Sequence, residues 1–436
     1  MKNGPRILLL LLGDVLMLGV SFYAMIHIAF YGQVTSRIIG IHALPFTILS
    51  LTWITIFFIF NLYDPQATRP TIPHLRRIFF AFIVAAATGA IFFYTIPFFG
   101  ITPKTNLLIF SLGGIIFFIV WRRIFYSIFS FYFRKRVAFL VSASSTLPQI
   151  NELANYMQNF PQSGFIVDGI YSSLPELDSL HKKELPAVYI VSKEIWRKEE
   201  SFRKLHEIEG EVLDLAYAYE DILSKIPIEA IDEGWFMHNI RSQDKNASDQ
   251  IKKVFGALVA IILVIITSPL FLLIAIAIKI SGGGPILYSQ TRVGKNDKTF
   301  RLHKFRSMIP NAEKNGPEWS AKNDPRVTPV GRVMRKLHVD ELPQLFNIIK
   351  GDIALVGPRP ERPEFVEKLE KEIPYYHLRH TIAPGFTGWA QIKFRYAGNV
   401  MDSKEKFEYD LYYLKNRNIF MDLGIFLRTL QIIFTH

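Results

Sequence analysis

The stretch His338-Val339-Asp340-Glu341-Leu342-Pro343-Gln344 sets two adjacent carboxylates in a strongly basic neighbourhood. Side chains one residue apart on a helix diverge by roughly 100°, so one carboxylate can attack a phosphorus centre while the other holds a metal ion. Asp340 is expected at the N-cap of a helix and Pro343 in its first turn, where a missing N–H costs nothing. The positive end of the helix dipole would then keep both acids ionised. A capped surface helix needs the same residues, so the surroundings decide.

Those surroundings are cationic. Gly331-Arg332-Val333-Met334-Arg335-Lys336-Leu337 reads as a short basic helix that delivers the chain to the acid pair. Further on, Pro358 and Pro360 fix the backbone on both sides of Arg359 and aim one guanidinium, a group suited to a phosphate or diphosphate. Arg379 follows in a segment of tight turns that includes Gly385-Phe386-Thr387-Gly388-Trp389. Upstream, Gly294 and Asn296-Asp297 mark a β-hairpin turn with a strand on each side, and Arg292, Lys304 and Arg306 are expected near one end of it. The triplet Gly282-Gly283-Gly284 either cradles phosphate through its amides or is a flexible exit from the apolar segment before it.

The rest of the chain must bring this chemistry to a membrane. Of 436 residues, 50% are hydrophobic and 14% aromatic, more than globular cores require. The net charge of +12 is carried by Lys and Arg beside apolar runs, where cytoplasmic loops and anionic headgroups account for it without nucleic acid. With no cysteine, any metal must be held by oxygen or His. Runs 7–31, 43–63, 78–99 and 107–133 each reach the ~20 apolar residues that cross a bilayer. The first lacks a small-residue cleavage pattern and reads as an uncleaved anchor. Positive residues at Lys2 and Arg6, at Arg76 and Arg77, and at Arg134-Lys135-Arg136 place the N-terminus and everything after 134 on the cytoplasmic side. Asp14 and Arg122 or Arg123 within these spans fit snorkelling or one buried pair.

A fifth apolar run, 254–280, is flanked by Lys252 and Lys253 before it and Lys279 after it. Ser268-Pro269 lies near its middle; proline frees a carbonyl that the serine hydroxyl can bond, and a helix that enters, bends and leaves on the same face satisfies the positive-inside bias. A kinked spanning helix is the alternative. Between 134 and 248, short apolar strands alternate with helix-forming stretches, which indicates a Rossmann-like parallel α/β domain. Its first turn, Ser142-Ala143-Ser144-Ser145, has no glycine to admit a pyrophosphate, so it reads as a structural or regulatory module.

In order, TRVG, KFRSM, DELPQ, KGD, LVGPRPE and PGFTGWAQ resemble the bacterial sugar transferase family, the monotopic phosphoglycosyl transferases, over roughly 249–436. With its four-span front and α/β insert, the whole chain resembles the large undecaprenyl-phosphate sugar phosphotransferases of exopolysaccharide synthesis. The implied architecture is a four-helix transmembrane region at 1–133, a Rossmann-like cytoplasmic domain at 134–248, and a catalytic α/β domain at 249–436 with a re-entrant helix at 251–281 broken at Ser268 and Pro269. The implied reaction moves a hexose 1-phosphate from a UDP-sugar to undecaprenyl phosphate and releases UMP, opening repeat-unit assembly of exopolysaccharide, capsule or O-antigen. The resemblance makes Asp340 the covalent nucleophile and Glu341 a ligand of Mg2+. Arg292, Lys304, Arg306, Arg332, Arg335, Pro358, Arg359, Pro360 and Arg379 are the expected substrate-binding set. The implied location is the cytoplasmic face of a bacterial inner membrane, among membrane lipids, with a homodimer left open. Where many members carry Asn-Gly-Arg after Gly-Trp-Ala-Gln, this chain has Ile392-Lys393-Phe394-Arg395-Tyr396, a departure that bears on the choice of sugar. Rival readings are a glycosyltransferase acting without phosphoryl transfer, against which the chain has no Asp-x-Asp pair, and a transporter or receptor.

Overall fold

The computed structural model describes residues 4–60, 62–63, 72–96, 103–132, 135–141, 147–160, 164–172, 187–196, 203, 205–207, 210–241, 246–281, 284–310, 312, 324–394 and 399–434. The Ser142–Ser145 turn, Gly282, Gly283 and the 395–398 segment fall outside them. The chain forms two compact units, Met1–Leu223 and Ser224–His436.

In the first unit, helices α1 (Gly4–Ala29), α2 (Ser36–Ile59), α3 (Ile72–Thr95) and α4 (Pro103–Tyr132) each contain a segment long and apolar enough to cross a membrane. Their shared core is aromatic: Trp53, Phe57, Phe82, Phe110 and Phe118 stack on one another, edge-to-face and tilted contacts that large rings favour. Asp14 and Arg122 form the buried pair that the sequence left as one option, at 2.7 Å. Unpaired charges would be costly there.

The same unit carries a parallel sheet of β1 (Lys135–Leu140), β2 (Phe165–Tyr171), β3 (Val188–Val191) and β4 (Glu211–Asp214), in order β2-β1-β3-β4. Strand residues alternate between two faces. Val137, Phe139 and Ile190 pack on α5 (Leu147–Asn159) and α6 (Leu215–Leu223), while Ala138, Leu140 and Tyr189 pack on Ile195 and Leu205. Burial on both sides is why β1 and β3 read as unbroken apolar runs.

The second unit opens with a short segment whose Ile226, Ile228, Ile231 and Phe236 share a core with Val366, Leu369, Tyr376 and Phe407. These residues, which the expected boundary at 248 grouped with the α/β domain, therefore pack with the C-terminal unit. Next come α7 (Asn246–Ser281), the hairpin β5 (Leu287–Val293) and β6 (Thr299–Phe305), α8 (Pro329–Lys336), α9 (Gln344–Lys350), β7 (Ala354–Val356), α10 (Pro363–Glu372), β8 (Gly385–Thr387), α11 (Trp389–Lys393), α12 (Val400–Asn416) and α13 (Ile419–Phe434). β7 and β8 pair in parallel.

Helix α7 continues through Pro269. Ser268 Oγ donates to Ile265 O at 2.8 Å, the carbonyl whose normal i+4 donor the proline lacks. Both ends of this helix pack on the same unit: near its start Lys252 pairs with Asp422 at 2.8 Å and Gly256 lies against Leu355, and towards its end Ile274 and Ile278 join Phe305 and Met334. Its middle, including Ile265, Ile266, Leu272 and Leu273, is exposed.

Candidate functional site

The hairpin turns where the sequence placed it, with Asn296 (φ 53) and Asp297 (φ 60) in the left-handed region that Asn and Asp tolerate. Its ladder pairs Arg292 with Phe300 and Tyr288 with Lys304. Arg292 and Lys304 thus share a face but stand four positions apart, not together at one end as expected.

Glu341 is the hub. Its Oε1 accepts from Lys304 Nζ at 2.7 Å and from Arg359 Nη2 at 2.8 Å. Burial would raise the Glu341 carboxyl, yet the charges of Arg359 and Lys304 overcome it and hold the group well below the usual carboxylate range. Asp340, 7% exposed, is the opposite case. Burial pushes its carboxyl up, the Glu341 charge adds to that, and Lys304 and Arg335 only partly offset it. The environments of the two neighbouring acids thus push their pKa values in opposite directions.

The acids are placed differently from the expected N-cap. The chain leaves α8 through His338 in the left-handed conformation (φ 55), and Val339–Glu341 form a 3-10 turn. Pro343, not Asp340, occupies the position before Gln344, the first residue of α9. Ionisation of Glu341 therefore comes from two cations rather than from a helix dipole.

The Pro-Arg-Pro segment is pinned at each carbonyl. Pro358 O accepts from Gly385 N at 2.8 Å, and Glu361 O from Val293 N at 2.9 Å. Arg359 O accepts from Arg379 Nη2 at 2.8 Å, and Pro360 O from Arg292 Nη1 at 3.0 Å. The guanidinium of Arg359 is aimed by this backbone at Glu341 and keeps 35% of its side-chain exposure, enough to meet a ligand. Arg292 and Arg379 do not face the pair; they brace the segment that carries Arg359. Arg292 also bonds Gln290 Oε1 at 2.7 Å. Arg335 Nε reaches Ser307 Oγ at 2.9 Å, Arg306 is buried with its guanidinium against Gly284, and Arg332 is exposed.

Sequence reasoning missed the partners of Arg379. Its guanidinium bonds Asp410 Oδ2 at 2.9 Å and the Tyr376 hydroxyl, with only 6% and 2% of the Arg379 and Asp410 side chains exposed. The available signal was Asp410 falling beside Phe407, Leu411 and Leu414 on α12, since a charge on an apolar stripe needs a partner. Arg379→Met should leave Asp410 buried and unpaired and cost about 3–5 kcal/mol of stability, read as a lowered melting temperature, whereas Arg379→Lys should lose less.

Among the described residues, metal-competent groups occur in two places. At the acid pair, Glu341 Oε1 is taken by two cations, which leaves its other oxygen, a hard ligand of the kind Mg2+ takes together with substrate phosphate. Separately, donor atoms of Asp297, Glu370 and His380 lie within 4.8 Å of one another.

Residues 247–436 match the model of the bacterial sugar transferase family, and 58–190 match a CoA-binding domain model. A UDP-N-acetylgalactosamine-undecaprenyl-phosphate N-acetylgalactosaminephosphotransferase of Aeromonas hydrophila is 45% identical over 42% of this chain and 44% of its own length. An undecaprenyl-phosphate galactose phosphotransferase of Salmonella typhimurium is 37% identical over 43% of this chain and 41% of its own. The chain thus spans less than half the length of each of these two relatives. An uncharacterized sugar transferase of Bacillus subtilis, EpsL, is 38% identical over 42% of this chain and 86% of its own length. Matched along nearly all of that shorter relative, and carrying the acid pair and the pinned Pro-Arg-Pro segment within the matched residues, the chain belongs to the bacterial sugar transferase family.

Proposed function

We propose that the second unit transfers a hexose 1-phosphate from a UDP-sugar to undecaprenyl phosphate in two displacements at one phosphorus. Asp340 attacks the sugar-bearing phosphorus, the bond to the UMP oxygen breaks, and UMP leaves from an aspartyl-phosphosugar. A phosphate oxygen of the lipid then attacks that phosphorus and expels the Asp340 carboxylate. The observation that carries this reading is the asymmetry of the pair: Glu341 is clamped by Lys304 and Arg359, while burial leaves Asp340 a poorly stabilised anion, which favours attack. Arg359 and Lys304 stabilise charge on the phosphoryl oxygens. Glu341 would hold Mg2+, which neutralises charge on the diphosphate. UDP-N-acetylgalactosamine is the first donor to test, on the likeness to the Aeromonas relative. Incubation with labelled donor and undecaprenyl phosphate should yield UMP; UDP as product would make the chain a glycosyltransferase instead.

The reaction belongs at headgroup height, at the cytoplasmic face of a bacterial inner membrane, as the first step of polysaccharide repeat assembly. A re-entrant α7 is supported by the packing of both its ends on one unit and by the lysines that flank it. The chain has no cysteine, so Lys279→Cys offers one labelling point. A membrane-impermeant maleimide added to spheroplasts should label it only after the inner membrane is permeabilised; labelling of sealed spheroplasts would make α7 a spanning helix.

A further inference from the structure

Three elements of the second unit converge at the tip of the β5–β6 hairpin. His380, in the 3-10 segment Tyr376–Thr381, is 6% exposed, and its Nδ1 lies 2.7 Å from Asp297 Oδ1 in the hairpin turn. Glu370 on α10 brings a third donor, and the three donor atoms all lie within 4.8 Å of one another. The frame beneath them is fixed. Val293 N donates to Glu361 O at 2.9 Å, and Val293 shares a core with Leu369 and Ile373, which stand on either side of Glu370 in the chain.

A hydrogen bond between His380 and Asp297 needs no second carboxylate. Yet Glu370 is brought up to it, and among the described residues neither Glu370 nor Asp297 forms an ion pair with Lys or Arg. Burial and the neighbouring Arg379 charge push the His380 imidazole down to about 4. At neutral pH the ring therefore adds no positive charge and keeps the lone pair that a metal takes. Two anionic oxygens and one neutral ring nitrogen make a mixed set that suits Zn2+ and its neighbours, whereas an all-oxygen set would suit Mg2+. The Asp297 side chain is 66% exposed and Glu370 is exposed, which leaves the remaining coordination positions to water.

We propose that Asp297, Glu370 and His380 bind a Zn2+-like divalent cation as a structural clip, separate from the Mg2+ proposed at the acid pair. It would tie the hairpin tip to α10 beside Arg379, whose guanidinium holds the Arg359 carbonyl. The proposal rests on neither the transfer reaction nor the membrane placement, so it can fail while both stand. The test takes the purified full chain in neutral detergent, freed of metal by a chelator and desalted, and follows thermal unfolding during titration with ZnCl2 or MgCl2. Zn2+ should raise the melting temperature saturably, and Mg2+ at the same concentrations should not. Glu370→Gln and Asp297→Asn change exposed side chains, and Asn tolerates the left-handed backbone at 297 (φ 60), so both variants should fold. Each should raise the half-saturating Zn2+ concentration by at least about tenfold. Glu372→Gln, on the same helix but outside the cluster, should leave it unchanged. An absent Zn2+ shift, an equal shift with Mg2+, or a wild-type titration when Glu370→Gln and Asp297→Asn are combined would each overturn the assignment.

Discussion

Asp340→Asn abolishes turnover, with a fall of about four orders of magnitude or more, the scale on which loss of a covalent nucleophile acts. The amide keeps the shape of the side chain and removes the attacking anion. Folding should survive, because Asp340 makes no recorded ion pair among the described residues, and its carboxyl is already pushed up by burial and by Glu341. Neutralising it relieves a charge rather than stranding one, so the melting temperature should stay level or rise. Mass measurement of wild-type protein incubated with donor alone should reveal an added sugar phosphate that the variant lacks. Turnover retained by the variant would remove Asp340 from the nucleophile position.

The elements around this site differ in how plainly the sequence announced them. The hairpin was legible because Gly294 and Asn296-Asp297 carry backbone preferences that act within a few residues. The parallel sheet was legible because strands buried on both faces need unbroken apolar runs, as in Val137 to Val141. The partner of residues 226–236 was not legible. Their apolar side chains announce burial, but nothing local says which core receives them, and they pack against Val366 and Phe407, far along the chain.

The same division runs through the site. Residue type identified the acids and cations, and the Ser268 hydroxyl bonds Ile265 O as local chemistry suggested. What type cannot reveal is which cation meets which acid. Lys304 reaches Glu341 across 37 residues and Arg359 reaches it across 18, and those closures are set by packing. Arg379 looked like a ligand because it is an Arg among tight turns; tertiary structure instead commits it to Asp410, 31 residues away, and to the carbonyl of Arg359.

Glu341→Gln should be the second most damaging change, and its pH behaviour tests the division of roles. Removing the anion leaves Lys304 and Arg359 crowded and uncompensated, which should cost about 3–5 kcal/mol at neutral pH. Because Glu341 is held well below the usual carboxylate range, the stability it contributes is present above its unfolded-state pKa and is lost as pH falls through the depressed value in the folded state. The gap between variant and wild type should therefore close in acid. Residual activity should need more Mg2+. The Glu341 charge also raises the pKa of Asp340 whereas Lys304 lowers it. An attacking carboxylate must be ionised, so the acid limb of kcat/KM should move to lower pH in Glu341→Gln and to higher pH in Lys304→Met. Opposite displacements from two neighbours of one group are hard to produce by general loss of structure. If both limbs stay put, the group that titrates in catalysis is not Asp340.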